Sequence, residues 1–224
     1  QLMAREQGLR VDVSQFETLM TQQRERARAA YKGADAAARA DAYRTLLLGV
    51  EPTEFIGYER EHAVGRILSM VSEGETIEKA QAGREVEVFV DRTPFYAESG
   101  GQIGDSGIIS TETGRVAVKD AQFAVPGLHG HRGVVTSGSI ALGQDADLTI
   151  NHERRERVRK NHTGTHILHW ALRAVVGDHV HQAGSLVADD RLRFDFSHYQ
   201  GMSLEQLREV EMAANERVIE NANV

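Results

Sequence analysis

Apolar positions recur at helical spacing near the start of the chain. Leu19 and Met20 follow Phe16 at distances of three and four residues. Ser14-Gln15-Phe16-Glu17 has the form of a capping box, in which a serine oxygen and a glutamate three residues later satisfy free backbone donors. We therefore expect a helix to begin at Ser14, and a second helical piece at residues 34–43.

From about Leu46 the apolar period becomes two, as in β-strands. Short β-prone runs follow one another, separated by turn-forming Gly, Ser, Asp or Pro. Such spacing predicts a small closed or half-closed β-barrel. The runs are 54–58, 62–70, 85–90, 107–110, 115–119, 133–136 and 147–150.

The last third of the chain combines a long helical pattern with a short alternating one. Asn151 is a suitable N-cap for a helix that runs to about Val176, and Gly177 is placed as its left-handed C-terminal cap. Strands are expected at 185–187 and 191–197, with the apolar residues of the second strand facing the core.

A final helix is predicted by a second capping-box pattern, Ser203-Leu204-Glu205-Gln206, and we expect this helix to cover the small sheet. The patterns together predict an α+β chain with a helical segment at 1–45, a β-barrel at 46–150 and a mixed helix and strand region at 151–224. No repeat or low-complexity linker separates the last two regions, so they should pack together.

Composition narrows the function classes. The formal net charge of −7 disfavours wide nonspecific DNA binding. Residues 152–160 (HERRERVRK) are a candidate RNA-binding patch, although the interspersed glutamates favour a solvated helix face.

The absence of cysteine excludes a disulfide scaffold and is compatible with a reducing cytosol. No signal-like start and no apolar run of about 18 residues are present, so neither export nor membrane spanning is expected.

The most specific candidate chemistry is a pair of histidines, His162 and His166. On a helix, residues four apart project from one side and suit a shared metal ion. Hydrolytic zinc sites usually take three protein ligands, so this pair is incomplete by itself. Thr163 stands where a zinc metalloprotease helix would need glutamate. Capping or core histidines remain the alternative.

Paired glycines in Ser99-Gly100-Gly101-Gln102 mark a tight turn within the predicted barrel. Glycine permits positive φ and lets one backbone approach another group closely. The Lys-Ser/Thr ending of a phosphate-binding loop is absent, so a phosphate loop is excluded.

Three ordered blocks resemble the start of the editing domain of alanyl-tRNA synthetases: residues 162–169 (HTGTHILH), 181–187 (HQAGSLV) and 192–198 (LRFDFSH). The resemblance implies the end of a helical tRNA-recognition region, a translation-factor-like barrel and the first half of an α/β editing domain. We expect the chain, which starts at Gln1, to be an internal fragment without the aminoacylation domain. Further matching blocks lie upstream at 91–105 (DRTPFYAESGGQIGD), 3–6 and 23–28.

The resemblance also implies roles for individual residues. His162 and His166 would bind zinc together with a Cys and a His of a downstream segment that this chain does not contain. The fragment alone should therefore bind zinc weakly or not at all, because losing half the ligands removes most of the binding free energy. The implied pocket adds catalytic Thr165, Gln182 and Ser185, and a substrate-binding glycine loop of Gly100, Gly101 and Gln102.

The implied reaction is hydrolysis of the ester that joins serine or glycine to the 3′ end of the tRNA for alanine. A pocket sized for alanine cannot exclude glycine sterically and discriminates poorly against serine, so a second, hydrolytic sieve is needed. The implied partner is this tRNA in the cytoplasm. ATP and magnesium are expected only in the absent aminoacylation domain, and the fragment should neither charge tRNA nor deacylate it strongly.

Two other interpretations stay open. A free-standing editing hydrolase would begin near the barrel, so the helical segment at 3–30 counts against it. A noncatalytic RNA-binding or protein-binding module built on the barrel would make the histidines structural.

Gly164 departs from the alanine common in the family, and on a helix it is roughly 1 kcal/mol less favourable than alanine.

Overall fold

The computed structural model describes residues 15, 17–22, 43–45 and 47–221. Residues 15, 17–22 and 43–45 are helical, in agreement with the predicted helical character of this segment. The serine of the first capping box and most of the second helical piece lie outside the described residues. Leu46–Val224 form one compact unit, described below, and Gln1–Thr45 form another.

Twelve strands lie between residues 54 and 196. They are β1 (Glu54–Phe55), β2 (His62–Ser72), β3 (Glu75–Thr76), β4 (Lys79–Gln81), β5 (Glu85–Val90), β6 (Arg92–Thr93), β7 (Gly107–Ser110), β8 (Gly114–Val125), β9 (Leu128–Ala141), β10 (Asp145–Ile150), β11 (Gln182–Val187) and β12 (Leu192–Phe196).

Six strands close into a barrel. β10, β7, β8, β9, β5 and β2 are hydrogen-bonded in that order, all antiparallel, and β10 returns to pair with β2. β3 and β4 extend this sheet, while β1 and β6 form a separate parallel pair. The predicted barrel is confirmed in its closed form, and together with the helices it confirms the α+β class.

The barrel interior is packed with apolar side chains, because alternate residues of each strand point inward. Met70, Val88, Phe95 and Leu148 are completely buried there. The alternation of Val86, Val88 and Val90 in the sequence indicates one buried face, but in β5 every residue after Glu85 is buried. Both faces of β5 are covered, because one faces the barrel interior and further loops and strands pack on the other.

One polar group lies inside this core. His131 is completely buried. Its Nδ1–H donates to the carbonyl of Val88 at 2.9 Å, and its Nε2 accepts from the hydroxyl of Thr93 at 2.7 Å. The Thr93 oxygen in turn accepts from the backbone N–H of Phe95 at 3.1 Å. Burial lowers the pKa of His131 to about 4, so the ring is neutral near pH 7.

Several strand bounds differ from the prediction. The runs 115–119 and 133–136 are parts of the longer hairpin strands β8 and β9, while β3, β4 and β6 had no sequence prediction. Glycines obscure the strand pattern of β9. A Cβ at Gly133 would lie 2.2 Å from the carbonyl oxygen of Ala117 on β8, so close pairing requires a residue that has low strand propensity.

Helix α1 (His152–Val176) follows the barrel directly. Asn151 caps it as predicted, its side chain accepting from the backbone N–H of Arg154. The expected left-handed cap at Gly177 is wrong in detail: φ is 126° and ψ is 165°, an extended conformation at positive φ. The helix still ends there, because Gly177 N–H donates to Arg173 and its carbonyl accepts from Val180 N–H as the chain turns away.

Helix α2 (Leu204–Glu220) begins with the predicted capping box, in which Ser203 and Gln206 bond reciprocally. Its expected contact with the small sheet is made in one apolar core, where the buried Val210 lies with Phe194 and Phe196 of β12. Helix α1 packs on the two-stranded sheet of β11 and β12, and α2 packs chiefly against α1 through the buried Val210. No helix among the described residues is long and apolar enough to cross a membrane.

Candidate functional site

The two candidate metal-binding histidines stand one above the other on α1. The ring centroids of His162 and His166 are 5.1 Å apart, with 28° between the ring planes. Burial lowers the pKa of His162, and the neighbouring His166 lowers it further. Both effects favour the neutral ring, which is the form that binds a metal ion.

A side chain from the barrel region orients His162. The amide oxygen of Gln102 lies 2.6 Å from Nδ1 of His162. Because an amide oxygen only accepts hydrogen bonds, Nδ1 carries the proton and donates it. The lone pair of the neutral ring is then on Nε2. Gln102 was predicted as part of a substrate-binding loop, and the structure places it in direct contact with a predicted metal ligand.

The glycine loop is a tight turn, as the sequence predicted. Ser99 and Gln102 exchange backbone hydrogen bonds across it. Gly100 and Gly101 have φ of 60° and 84°, the pair of positive angles that a type I′ turn requires. A Cβ at Gly101 would lie 2.7 Å from the carbonyl oxygen of Ser185. The turn therefore approaches β11 more closely than any other residue type would allow.

Backbone hydrogen bonds join this turn to β11, in the two-stranded sheet of β11 and β12. The N–H of Val187 donates to the carbonyl of Gly101 at 2.7 Å, and the N–H of Ile103 donates to the carbonyl of Val187 at 3.1 Å. Gln102 and Val187 thereby form a short parallel bridge. The site is thus assembled from the turn, β11 and α1.

The other predicted site residues are placed differently. The hydroxyl of Ser185 is buried and has no hydrogen-bond partner within the described part of the chain, so it retains a free donor. Thr165 is buried, and its hydroxyl donates to the carbonyl of Asn161 at 2.8 Å. Gln182 is exposed at the start of β11, opposite Phe196, and Gly100 has open space around it. His162, His166, Gly101, Gln102 and Ser185 are therefore brought together most closely.

A buried ion pair beside the site was not predicted as such. Arg155 of α1 pairs with Asp105 through both carboxylate oxygens and also donates to the carbonyls of Gly57 and Pro94. Asp105 additionally accepts from the N–H of Tyr96. The available signal was spacing: Asp105 ends the block that contains the glycine loop, and Arg155 lies seven residues before His162 on the same helix face.

The basic segment 152–160 is therefore largely occupied within the molecule. Arg155 is only 8% exposed, which contradicts the favoured interpretation of a wholly solvated face. Arg154 and Arg157 approach Asp189 at 3.5 Å, and Arg159 pairs with Glu156. The segment anchors the helix more than it offers free positive charge to a nucleic acid.

A groove of about 830 Å³ runs between α1 and α2 beside His166. Trp170 lies in it, 43% exposed, with the guanidinium of Arg217 at 4.5 Å from its ring centre. Lys160, Thr163 and Ile167 contribute further lining. His166 is thus accessible from an open groove.

Zinc accepts imidazole ligands, and His162 and His166 present two of them on one helix face. The amide oxygen of Gln102 holds the other ring nitrogen of His162, in the way that hydrogen-bond acceptors orient ligating histidines. Within the described ranges no cluster of three or more His, Cys, Asp or Glu residues is placed to hold a metal. The residues present fit two ligands of a zinc site.

Comparison with known proteins gives concordant results. A family described as "tRNA synthetases class II (A)" matches residues 1–154. The alanine–tRNA ligase of Rhizobium meliloti (strain 1021) is 46% identical over 220 residues, covering 98% of this chain and 25% of that protein. The alanine–tRNA ligase of Xanthomonas oryzae pv. oryzae (strain PXO99A) is 47% identical over 224 residues, covering 99% of this chain and 25% of that protein. The chain spans about a quarter of the length of these relatives.

Proposed function

Because this chain belongs to the class II tRNA synthetase (A) family and is similar to alanine–tRNA ligases, we propose that it is part of such a ligase and contributes to proofreading. The proposed reaction is hydrolysis of serine or glycine from the tRNA for alanine in the cytoplasm. Activation of alanine with ATP and magnesium is assigned to a part of the ligase outside this chain.

The observation that carries the proposal is the convergence at α1. A histidine pair, of which Gln102 orients His162, lies beside a tight glycine turn and a buried serine hydroxyl without a partner among the described residues, and His166 also lines an accessible groove. Ester hydrolysis needs groups that position an ester carbonyl and a water molecule, and such hydroxyl and imidazole groups can do so. A zinc ion held by His162 and His166 would supply Lewis acidity toward the ester or the water.

The chain's own residues have distinct tasks in this proposal. The hydroxyl of Ser185 is free to donate to the substrate, whereas that of Thr165 already donates to Asn161 and can only accept. Gly101 lets the turn approach β11, so the turn would form one wall of the proposed pocket. Gln182, exposed at the start of β11, would reach a bound aminoacyl-adenosine from the open side.

The ligase interpretation is favoured over a free-standing hydrolase by where the similarity lies. The family match begins at residue 1 and so includes the segment before the barrel. A binding module without catalysis receives little support from residues 152–160, since most of the arginines there are already paired with acidic or carbonyl groups.

Deacylation of serine from the tRNA for alanine tests the proposal. In a full-length ligase that contains this segment, His162→Ala and His166→Ala should each lower deacylation at least a hundredfold while charging with alanine is kept. His62→Ala provides a matched control, because His62 lies on the barrel and pairs with Asp147. Unchanged deacylation in both helix variants would refute the editing assignment.

The 224-residue chain alone should deacylate slightly or not at all, because it supplies only two candidate zinc ligands. The same assay measures this. Full activity of the isolated chain would show that no further ligands are required.

A further inference from the structure

Gln102 is placed to do more than line a substrate pocket. Its side chain is 8% exposed, and its amide oxygen lies 2.6 Å from Nδ1 of His162. We propose that Gln102 is a positioning residue that fixes His162 as the Nδ1–H tautomer and so reserves Nε2 for a metal ion or substrate. What Nε2 does rests on the proposed editing function; the tautomer itself does not.

The chemistry of the two groups requires this assignment. An amide oxygen has lone pairs and no proton, so the ring nitrogen facing it must donate. A neutral imidazole carries one proton, and the opposite nitrogen is then the acceptor. Proteins commonly hold ligating histidines in this manner, with a fixed acceptor on one nitrogen and the metal on the other.

The backbone of Gln102 is held on two sides, so the acceptor is fixed in space. Its N–H and carbonyl both bond to Ser99 across the glycine turn. Its neighbours Gly101 and Ile103 both bond to Val187 on β11. A side chain mounted on such a doubly paired residue loses little additional freedom when it forms its hydrogen bond.

The contact also belongs to a matched pair along one face of α1. Asp105 bonds to Arg155, and Gln102 bonds to His162. Seven helical residues rise about 10 Å, and three extended residues span about 10 Å, so the loop runs antiparallel along the helix with equal spacing between the two contacts. The buried ion pair therefore sets the register in which Gln102 meets His162.

This arrangement gives Gln102 a task different from direct recognition of the amino acid. Its amide oxygen already accepts from Nδ1 of His162 and keeps one further lone pair, so any substrate hydroxyl would share this atom with the ring. Recognition of the amino acid can then draw on other groups of the pocket, such as the free hydroxyl of Ser185.

Nitrogen-15 spectroscopy of the histidine rings tests the inference in the metal-free 224-residue chain. Burial lowers the pKa of His162, so its ring is neutral at pH 8, and the shifts of its two ring nitrogens identify which one is protonated. Wild-type His162 should be the Nδ1–H tautomer, assigned by loss of its signals in His162→Ala. A wild-type His162 found as the Nε2–H tautomer overturns the proposal without any variant.

Three variants sharpen the test. Gln102→Leu removes the acceptor and should move His162 toward the Nε2–H tautomer, whereas Gln102→Glu keeps an acceptor oxygen and should keep Nδ1–H. Gln122→Leu is the matched control, because Gln122 bonds to Glu98 and Arg132 on the barrel and should leave His162 unchanged. Should Gln102→Leu fail to fold, the wild-type and Gln102→Glu spectra still decide. An unchanged His162 in folded Gln102→Leu refutes the positioning task.

Zinc binding in a full-length ligase separates this inference from the proposed function. Gln102→Leu should weaken zinc affinity by about ten- to a hundredfold, and Gln102→Glu should restore it. Zinc affinity that ignores Gln102→Leu overturns the positioning of a metal ligand. If His162→Ala loses neither zinc nor deacylation, the editing function fails instead, and the tautomer measurement stands independently.

Discussion

The barrel (residues 47–150) and the helix–sheet region (residues 151–221) differ in how completely they pair their strands and bury their large apolar side chains. Every strand of the barrel ring has two hydrogen-bonded neighbours, and large side chains such as Phe89 and Phe95 are fully buried. The helix–sheet region has a sheet of only two strands, and Trp170, Met212 and Ile219 are 43%, 60% and 81% exposed. Two strands alone are marginally stable in water.

The difference teaches that rigidity and accessibility are divided between the two regions. The barrel supplies a closed platform, and the helix–sheet region supplies the open groove and most of the candidate chemistry. The seam between the two regions consists of the glycine turn and the Asp105–Arg155 pair. Through these contacts the rigid barrel fixes the positions of β11 and α1.

The strongest test of this comparison removes the buried ion pair. Asp105→Ala leaves Arg155 buried without its carboxylate and should destabilise the chain by about 3–5 kcal/mol, measured by urea unfolding. Arg92→Ala, which breaks the exposed pair with Glu54, should change stability by no more than about 1 kcal/mol. Equal effects at the two sites would show that the seam is not a critical joint.

The barrel core should make stability depend on pH. The pKa of His131 is lowered to about 4, below its ordinary value of 6.5, so the unfolded chain binds a proton that the folded chain rejects. Stability is therefore complete above pH 6.5 and is lost as pH falls toward 4, by up to roughly 3 kcal/mol. Urea unfolding at pH 7 and pH 4.5 measures the loss. His131→Gln should reduce this loss and leave the part due to His129, whose pKa burial also lowers to about 4, and an unaltered slope would contradict the assignment.

Two glycines of similar φ compare the seam with a free barrel turn. Gly101 and Gly74 both have φ of 84°, but a Cβ would meet Ser185 at Gly101 and nothing within 4 Å at Gly74. Gly74→Ala should cost about 1 kcal/mol for backbone strain alone. Gly101→Ala should cost about 2–3 kcal/mol, because the pairing with β11 must also shift. Matching unfolding free energies would mean that the close approach is unimportant.

The smallest expected effect is a gain in the helix–sheet region. Gly164 is inside α1, where a Cβ would make only an ordinary contact with Leu192 at 3.4 Å. Gly164→Ala should raise the free energy of unfolding by about 0.5–1 kcal/mol. Gly133→Ala in the barrel is the contrasting control, since its Cβ would clash with Ala117 and it should destabilise the chain. A destabilised Gly164→Ala would show that α1 is packed more tightly there than the structure indicates.

Sequence patterns predicted the elements whose signal is local. The caps at Asn151 and Ser203 depend on side chains and backbone groups within four consecutive residues, and both are confirmed. The lengths of β8 and β9 and the packing of α2 depend on contacts between distant residues, which periodicity does not encode. The domain boundaries at 45/46 and 150/151 stay predictions.

The candidate site shows the same division. The helical spacing of His162 and His166 placed their rings side by side, and the paired glycines predicted the turn. The hydrogen bond from His162 to Gln102 joins residues 60 positions apart and has no local signature. The roles of Thr165, Gln182 and Ser185 stay predictions, although the structure distinguishes the free hydroxyl of Ser185 from the occupied one of Thr165.

The joint between the barrel and α1 is short. Ile150 ends β10 with its N–H bonded to Glu61, and the N–H of Asn151 bonds to Ser106 while its side chain already caps the helix. No linker residue lies between the last barrel strand and the N-cap of the helix. Each residue of an α-helix advances the side-chain direction by about 100°, so the directions of His162 and His166 are already set at Asn151, where the chain leaves the barrel.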